Sequence, residues 1–364
     1  MRIVVLLGGT SAEREISLRT GGGIAHALRA RGHDVTAIDT ADGTVLPAGM
    51  ESGRPLPAVE ASGSGSGGPG AHGAAGASDA RPVLREHVDL GNAVVRDADL
   101  VFLALHGGAG EDGTLQALLD LAGKAYTGSG MLASAAAMDK ALSKRLFEQA
   151  GIPTPPWRLY RRRDGDQPDV AAVSAVGGFP VVIKPNDEGS TFGLTIVRDA
   201  SGLAPAFEEA LRYSNNVLLE AFIPGRELTV AVLGDEPLPL VEICPKSGLY
   251  DYESKYTPGK SEYFCPADLP DELTLLIQEL SVLACRVLDT AGVARVDFRL
   301  APDGTPHCLE VNTIPGMTQT SLVPMAARAA GLSFEDLCER IAQLALERHA
   351  KDQRPGAPRP APSR

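Results

Sequence analysis

The residues best placed to do chemistry lie in two alternating apolar segments, 294–300 and 307–313, joined through the turn-forming Pro302-Asp303-Gly304. Paired as a hairpin without a bulge, these segments set Leu300 opposite His307, Asp297 opposite Glu310 and Arg295 opposite Asn312. Side chains alternate across a strand, so Arg295, Asp297, Glu310 and Asn312 share one face. Cross-strand β-carbons are about 5 Å apart, and two carboxylates at that separation repel by roughly 3 kcal/mol at an effective dielectric of about 20. A cation between them relieves the repulsion. Two carboxylates and an amide oxygen are hard ligands, of the kind Mg²⁺ takes while keeping waters and substrate phosphates in its shell. The competing reading is a solvated sheet face on which Arg295 balances the acids.

Two lysines bear on that choice. Lys184 closes the apolar run Val181-Val182-Ile183 and precedes the small-residue loop Asp187-Glu188-Gly189-Ser190-Thr191-Phe192-Gly193. Such a loop can turn backbone N–H groups toward phosphates, and a lysine at the strand end adds a point charge. Lys140, after the helical 131–138 segment, could supply a second; either alone could equally be a surface charge. The sequence contains no G-x-x-x-x-G-K-[ST], which excludes a P-loop. Gly128-Ser129-Gly130-Met131-Leu132-Ala133 fits a dinucleotide fingerprint and leaves a nicotinamide-dependent oxidoreductase as a rival reading. The match is weak, because it follows the last strand of its domain and Glu148, about 20 residues on, lies in a helical stretch.

Positioning these groups requires an alternating scaffold. Strands at 3–7, 35–38, 100–105 and 125–127 alternate with helical segments at 11–32, capped by Ser11, and at 114–121. This predicts an N-terminal open α/β domain over residues 1–130. A helix over 133–149, strands at 181–185, 194–197 and 217–220 and a helix at 203–213 predict a small α+β lobe over 131–222. Strands at 228–233 and 238–243, a helix at 272–290, the acid-bearing hairpin and terminal helices at 322–330 and 334–350 fill a second lobe, 223–350. The Gly/Ser-rich insert (about 51–81, with 61–80 lacking any large apolar residue) cannot bury enough surface to offset its ordering entropy, and the Pro-rich 351–364 reads as a disordered tail. The irregular stretch 245–262 is long enough to predict a lid.

Composition narrows the class. The chain has 364 residues with 34 Lys and Arg against 46 Asp and Glu, a net charge of −12. That balance argues against nucleic-acid and anionic-membrane partners. No apolar run approaches the roughly 20 residues needed to span a bilayer, and no signal peptide opens the chain. The five cysteines contain no C-x-x-C pair, which argues against a disulfide framework or zinc site. A cytoplasmic protein is the expectation.

Gly8-Gly9-Thr10-Ser11-Ala12-Glu13-Arg14-Glu15, His106-Gly107-Gly108, Glu111-Asp112-Gly113-Thr114 and Tyr126-Thr127-Gly128-Ser129-Gly130 together resemble the D-alanine–D-alanine ligase family of the ATP-grasp superfamily. Met138-Asp139-Lys140, Lys184-Pro185 with Glu188-Gly189-Ser190, Tyr250-Asp251-Tyr252 with Lys255-Tyr256, Glu310-Val311-Asn312-Thr313 and Pro315-Gly316-Met317-Thr318 continue the resemblance in family order. It implies a preATP-grasp-like N-terminal domain followed by a two-lobed ATP-grasp fold. It also implies ligation of two D-alanines through a D-alanyl phosphate, with ATP as co-substrate, for peptidoglycan precursors.

The resemblance further implies residue roles. Lys140 and Lys184 meet the ATP phosphates, Glu220 the adenine amino group, the Phe222–Ile223 backbone the adenine edge, and Glu227 the ribose hydroxyls. Asp297, Glu310 and Asn312 hold Mg²⁺ or Mn²⁺, two ions accompanying ATP. Glu15 holds the first substrate's ammonium near His106, and Ser190 pairs with Tyr256 to link Glu15 to the closing loop. Lys255 reaches the transferred phosphate. Arg295 and the Gly316 N–H are oxyanion donors, and Ser321 with the Leu322 backbone grips the second carboxylate. A homodimer is implied. The Lys255-Tyr256 pair resembles the dipeptide-forming type, with a D-alanyl-D-lactate or D-alanyl-D-serine ligase as the near alternative.

Overall fold

The computed structural model describes residues 1–48, 88–89, 92–245 and 260–352. The insert at 61–80, Lys255 with Tyr256, and 353–364 lie outside the described residues, as does most of the stretch expected to be a lid. The final helix, Phe334–Asp352, takes up the first two residues of the expected tail.

Four strands form the N-terminal sheet: β1 (Arg2–Leu7), β2 (Asp34–Asp39), β3 (Thr44–Leu46) and β4 (Leu100–Leu103), in the order β3-β2-β1-β4. β1 is parallel to both β2 and β4. Buried on both faces, β1 and β4 read as near-continuous apolar runs. Residues 125–127 contribute only an isolated bridge, Tyr126 to Val101. The first helix runs from Arg14 to Ala30 and its cap is Glu13, not Ser11. The Ser11 hydroxyl instead donates to the His106 carbonyl and accepts from the Glu13 N–H.

The middle sheet is antiparallel: β5 (Trp157–Arg161), β6 (Val181–Pro185), β7 (Thr195–Val197) and β8 (Asn216–Ala221), in the order β5-β8-β6-β7. Val181, Ile183, Phe207 and Leu219 give it a core of its own. The third sheet comprises β9 (Arg226–Leu233), β10 (Glu236–Pro237), β11 (Val241–Pro245), β12 (Ser261–Phe264), β13 (Val293–Leu300) and β14 (Pro306–Asn312). Its order is β12-β11-β9-β13-β14, with β10 on β9.

Packing redraws the expected lobes. Ala136, Ala137 and Phe147, from the 131–149 segment assigned to the middle lobe, share a core with Val230, Val296 and Phe298 of the third sheet. Ile24 and Leu28 of the N-terminal domain likewise share a core with Leu337 and Ile341 of the last helix. The middle sheet is therefore a separately cored unit facing a larger body.

The expected single helix at 133–149 is two, Met131–Met138 and Lys140–Gln149. Asp139 sits between them in an extended conformation (φ −77°, ψ 94°), and its carboxylate accepts from the Leu142 N–H. Asn186, following β6, donates to Asp139 Oδ1 at 2.8 Å and accepts the Ala141 N–H at 2.8 Å. This break is what points Lys140 toward the middle lobe.

The β13–β14 hairpin carries a bulge. Arg295 pairs with Asn312 and Asp297 with Glu310 as expected, but the register then shifts. Phe298 pairs with Cys308, Arg299 with His307, and Leu300 with Pro306 rather than His307. Leu309 is the extra residue, and a bulge of this kind re-aims side chains beside it.

Candidate active site

Two cavities open between the lobes. The first lies between the middle and third sheets. Lys140, Lys184, Glu220, Phe222, Ile223 and Glu227 all line it, so the residues expected to meet ATP converge. Asp297 and Glu310 border it as well.

Glu220 is fully enclosed there. Lys144 Nζ lies 2.6 Å from its Oε2 and Lys184 Nζ 3.0 Å from its Oε1. Burial works against the carboxylate's charge, but the two lysines outweigh it and hold the group below its ordinary value. Lys140 Nζ donates to the Glu188 carbonyl at 2.6 Å and lies 3.3 Å from Glu310 Oε2. Burial, with Asp187 beside it, raises the Glu188 carboxyl, Lys140 opposing. Sequence reasoning did not find Lys144, Arg299 or Leu309. Arg299 donates to Glu227 Oε2 (3.2 Å) and to the Ile223 and Gly225 carbonyls (3.1 and 3.0 Å), fixing the turn between lobes. Lys140 and Lys144 are four apart on one helix, a spacing that places them on one face and was the available signal.

The second cavity lies between the N-terminal domain and the third sheet, lined by Glu13, His106, Ser190, Arg295, Asn312, Gly316, Ser321 and Leu322 among others. Of the two acids at the start of the first helix, Glu13 lines it and Glu15 does not. Glu13 is 9% exposed, and its carboxylate accepts the Ser190 hydroxyl, whereas Glu15 is exposed and does not line the cavity. As the cap residue, Glu13 projects off the helix end toward the cavity; Glu15, two residues on, is carried round to the solvent side. Ser190 and Thr191 have φ of 48° and 61°, so the 187–193 loop holds left-handed backbone at non-glycine positions, as functional loops often do. Gly107 leaves room for the acid: a β-carbon there would come within 3.3 Å of Glu13 Oε2. His106 is buried and bonded through Nε2 to Thr20 Oγ1 (3.2 Å).

Arg295 lines the cavity beside Gly316 while clasping Asp297 with two bonds of 2.8 Å. The balancing of acids that competed with metal binding is thus present in the same residues. Asp297 also accepts from Thr229 Oγ1 (2.6 Å) and Asn312 Nδ2 (3.0 Å). The donor set, two carboxylates and an amide oxygen, fits a hard divalent cation. Among the described residues no group of three or more His, Cys, Asp or Glu is placed to hold one. The Ser321 hydroxyl bonds Thr318 (2.7 Å to Oγ1) at the start of the Leu322–Ala329 helix, whose N-terminal N–H groups suit a carboxylate.

The Gly128 segment offers no dinucleotide site. Its carbonyl accepts from Arg348, and Gly292 packs so closely that a β-carbon there would lie 3.1 Å from the Gly128 nitrogen. Gly8 also serves packing rather than a ligand, since a β-carbon would overlap the Asp39 carboxylate that Arg14 clasps.

Two antiparallel sheets closing on a lysine-lined cavity, with an α/β domain across the second opening, make this an ATP-grasp fold. Family models described as "D-ala D-ala ligase N-terminus" and "D-ala D-ala ligase C-terminus" match residues 2–129 and 146–343. A D-alanine–D-alanine ligase of Syntrophotalea carbinolica is 44% identical, covering 93% of this chain and 94% of its own. One from Halalkalibacterium halodurans is 42% identical over 96% of this chain and all of its own. A crystal structure of the Bacillus anthracis D-alanine–D-alanine ligase complexed with ATP superimposes with a TM-score of 0.72 at 29% identity, covering 96% of this chain and 99% of that one. The chain belongs to the D-alanine–D-alanine ligase family.

Proposed function

We propose that this enzyme joins two D-alanines to D-alanyl-D-alanine, converting ATP to ADP and phosphate, as a step toward peptidoglycan precursors. The observation that carries the reading is the meeting of the two cavities: Glu310, Gly189 and Ser190 line both. A γ-phosphoryl group in the first cavity and a carboxylate in the second would approach each other there.

A carboxylate is a poor electrophile, so its oxygen first attacks the γ-phosphorus and ADP leaves. The amine of the second D-alanine then attacks the acyl carbon, losing a proton, and phosphate departs with the original carboxylate oxygen. Such chemistry needs positioning and charge neutralisation above all. Lys140 and Lys184 supply cationic charge to the phosphates. Glu220 accepts from the adenine amino group, the Phe222–Ile223 backbone lies along its edge and Glu227 takes the ribose hydroxyls. Asp297, Glu310 and Asn312 would hold Mg²⁺ or Mn²⁺, which neutralises phosphate charge when bound. Glu13 takes the place expected of Glu15 at the first ammonium. Arg295 and the Gly316 N–H face the oxyanion, while Ser321 and Leu322 take the second carboxylate. Lys255 and Tyr256 complete the closing loop.

Among the described residues no helix is long and apolar enough to cross a membrane. ATP as co-substrate supports a cytoplasmic location, and the family resemblance supports a homodimer. ADP release measured with D-alanine alone, or with D-lactate or D-serine as second substrate, tests the reading and its near alternatives. ADP release that ignores D-alanine would sink it.

A further inference from the structure

Lys144 is a fully buried lysine for which the mechanism above has no use. Its ammonium is held at two points, Glu220 Oε2 at 2.6 Å and Thr154 Oγ1 at 2.7 Å, and the Thr154 hydroxyl in turn donates to the Cys308 carbonyl at 2.8 Å. Cys308 lies on β14, two residues before Glu310, and its N–H donates to the Pro153 carbonyl at 2.8 Å. The lysine is thereby fixed to the strand that carries the acids and cannot follow a ligand. Burial depresses its basicity; the Glu220 carboxylate opposes that effect and Lys184 adds to it.

Lys184 is differently placed. It lines the nucleotide cavity, with its ammonium on the other Glu220 oxygen. A triphosphate in that cavity competes for Lys184, and its departure would leave Glu220 buried with one cation fewer. A buried carboxylate keeps its charge only when a cation or several donors stay with it.

We infer that Lys144 is a positioning residue, the standing counterion of Glu220, which keeps that carboxylate ionised and aimed at an exocyclic amino group while Lys184 turns to the phosphates. This rests on the nucleotide reading above and deepens it: selectivity for a 6-aminopurine resides in the Lys144–Glu220 pair rather than in Glu220 alone. Without Lys144, Glu220 must either retain Lys184, weakening phosphate binding, or take up a proton, becoming a donor facing a donor.

The test is calorimetric binding to the full chain with Mg²⁺, comparing ATP with purine riboside triphosphate, which lacks the 6-amino group. The wild type should prefer ATP by about tenfold or more, the worth of one charge-assisted hydrogen bond. Lys144→Met should lose at least about tenfold in ATP affinity and most of that preference. The double variant Lys144→Met/Glu220→Gln should bind ATP no worse than Lys144→Met, since neither charge remains to be uncompensated. Lys144→Arg, used if the methionine variant does not fold, keeps the charge but not the geometry and should lose preference with less loss of affinity. A folded Lys144 variant with wild-type affinity and preference would overturn the inference. A wild type that binds no ATP would instead overturn the nucleotide reading beneath it.

Discussion

Ser190 donates its hydroxyl hydrogen bond to the carboxylate of Glu13, joining residues 177 positions apart in the chain. One belongs to the loop that borders both cavities and the other caps the first helix of the N-terminal domain. The contact ties the middle lobe to the domain across from it, and Glu13 is the acid that the proposed function puts at the first substrate's ammonium.

Glu13→Gln is therefore expected to cost activity where Glu15→Gln does not. Losing an anionic partner for a bound ammonium typically costs about 1.5–3 kcal/mol, so kcat/KM for D-alanine should fall roughly 10- to 100-fold in Glu13→Gln. Steady-state titration of D-alanine in the two variants checks this, and equal losses in both would contradict the placement.

Arg295→Ala should lower turnover by about 100- to 1000-fold, the range for removing an oxyanion donor. Nucleotide affinity should change much less. Binding and single-turnover measurements on the same preparation separate the two effects.

Glu310→Gln removes one of two facing carboxylates and the partner 3.3 Å from Lys140. The Mg²⁺ concentration for half-maximal activity should rise by about tenfold or more, comparable to losing a supporting group at a metal site. An unchanged Mg²⁺ titration would remove Glu310 from the set.

Acid should erase the contribution of Glu220. Its folded value lies below the ordinary 4.5, so its ionised form stabilises the fold above that pH, and the stability is lost as pH falls through the lower folded value. Glu220→Gln, which breaks a buried pair, should cost about 3–5 kcal/mol at pH 7. In thermal melts the gap between wild type and variant should narrow below pH 4.5.

The three buried cysteines, Cys285, Cys308 and Cys338, should be sluggish toward thiol reagents. Burial pushes Cys285 up to about 11 and raises Cys308 and Cys338 as well. At pH 8 about one Cys285 in a thousand is thiolate, so it should resist labelling until the chain is denatured. A timed thiol titration with and without denaturant measures this.

How much of this could be read in the sequence depended on which physical signal each residue leaves. The pairing of Asp297 with Glu310 followed from two-residue alternation around a turn, and survived because the turn end is one residue out of the expected register, with Leu300 on Pro306, and the bulge at Leu309 restores it. Leu309 looked like any apolar strand residue; only the structure reveals that it is the extra one. Glu13 and Glu15 both fall at a helix start, and choosing between them required the helix boundary to within a residue, which propensity does not supply. Lys184 was legible at the end of an apolar strand. Lys144 was not, because two lysines four apart on an amphipathic helix ordinarily signal a solvated face. The break at Asp139 depends on Asn186, a residue 47 positions away, and no local pattern announces it.

The acyl-phosphate route is tested most directly by following the carboxylate oxygen. D-alanine labelled with ¹⁸O in its carboxyl group is incubated with the enzyme, ATP and Mg²⁺, and both dipeptide and inorganic phosphate are analysed by mass. The mechanism predicts D-alanyl-D-alanine together with phosphate that carries one labelled oxygen per peptide bond formed. Dipeptide accompanied by unlabelled phosphate, or no dipeptide at all, would contradict it.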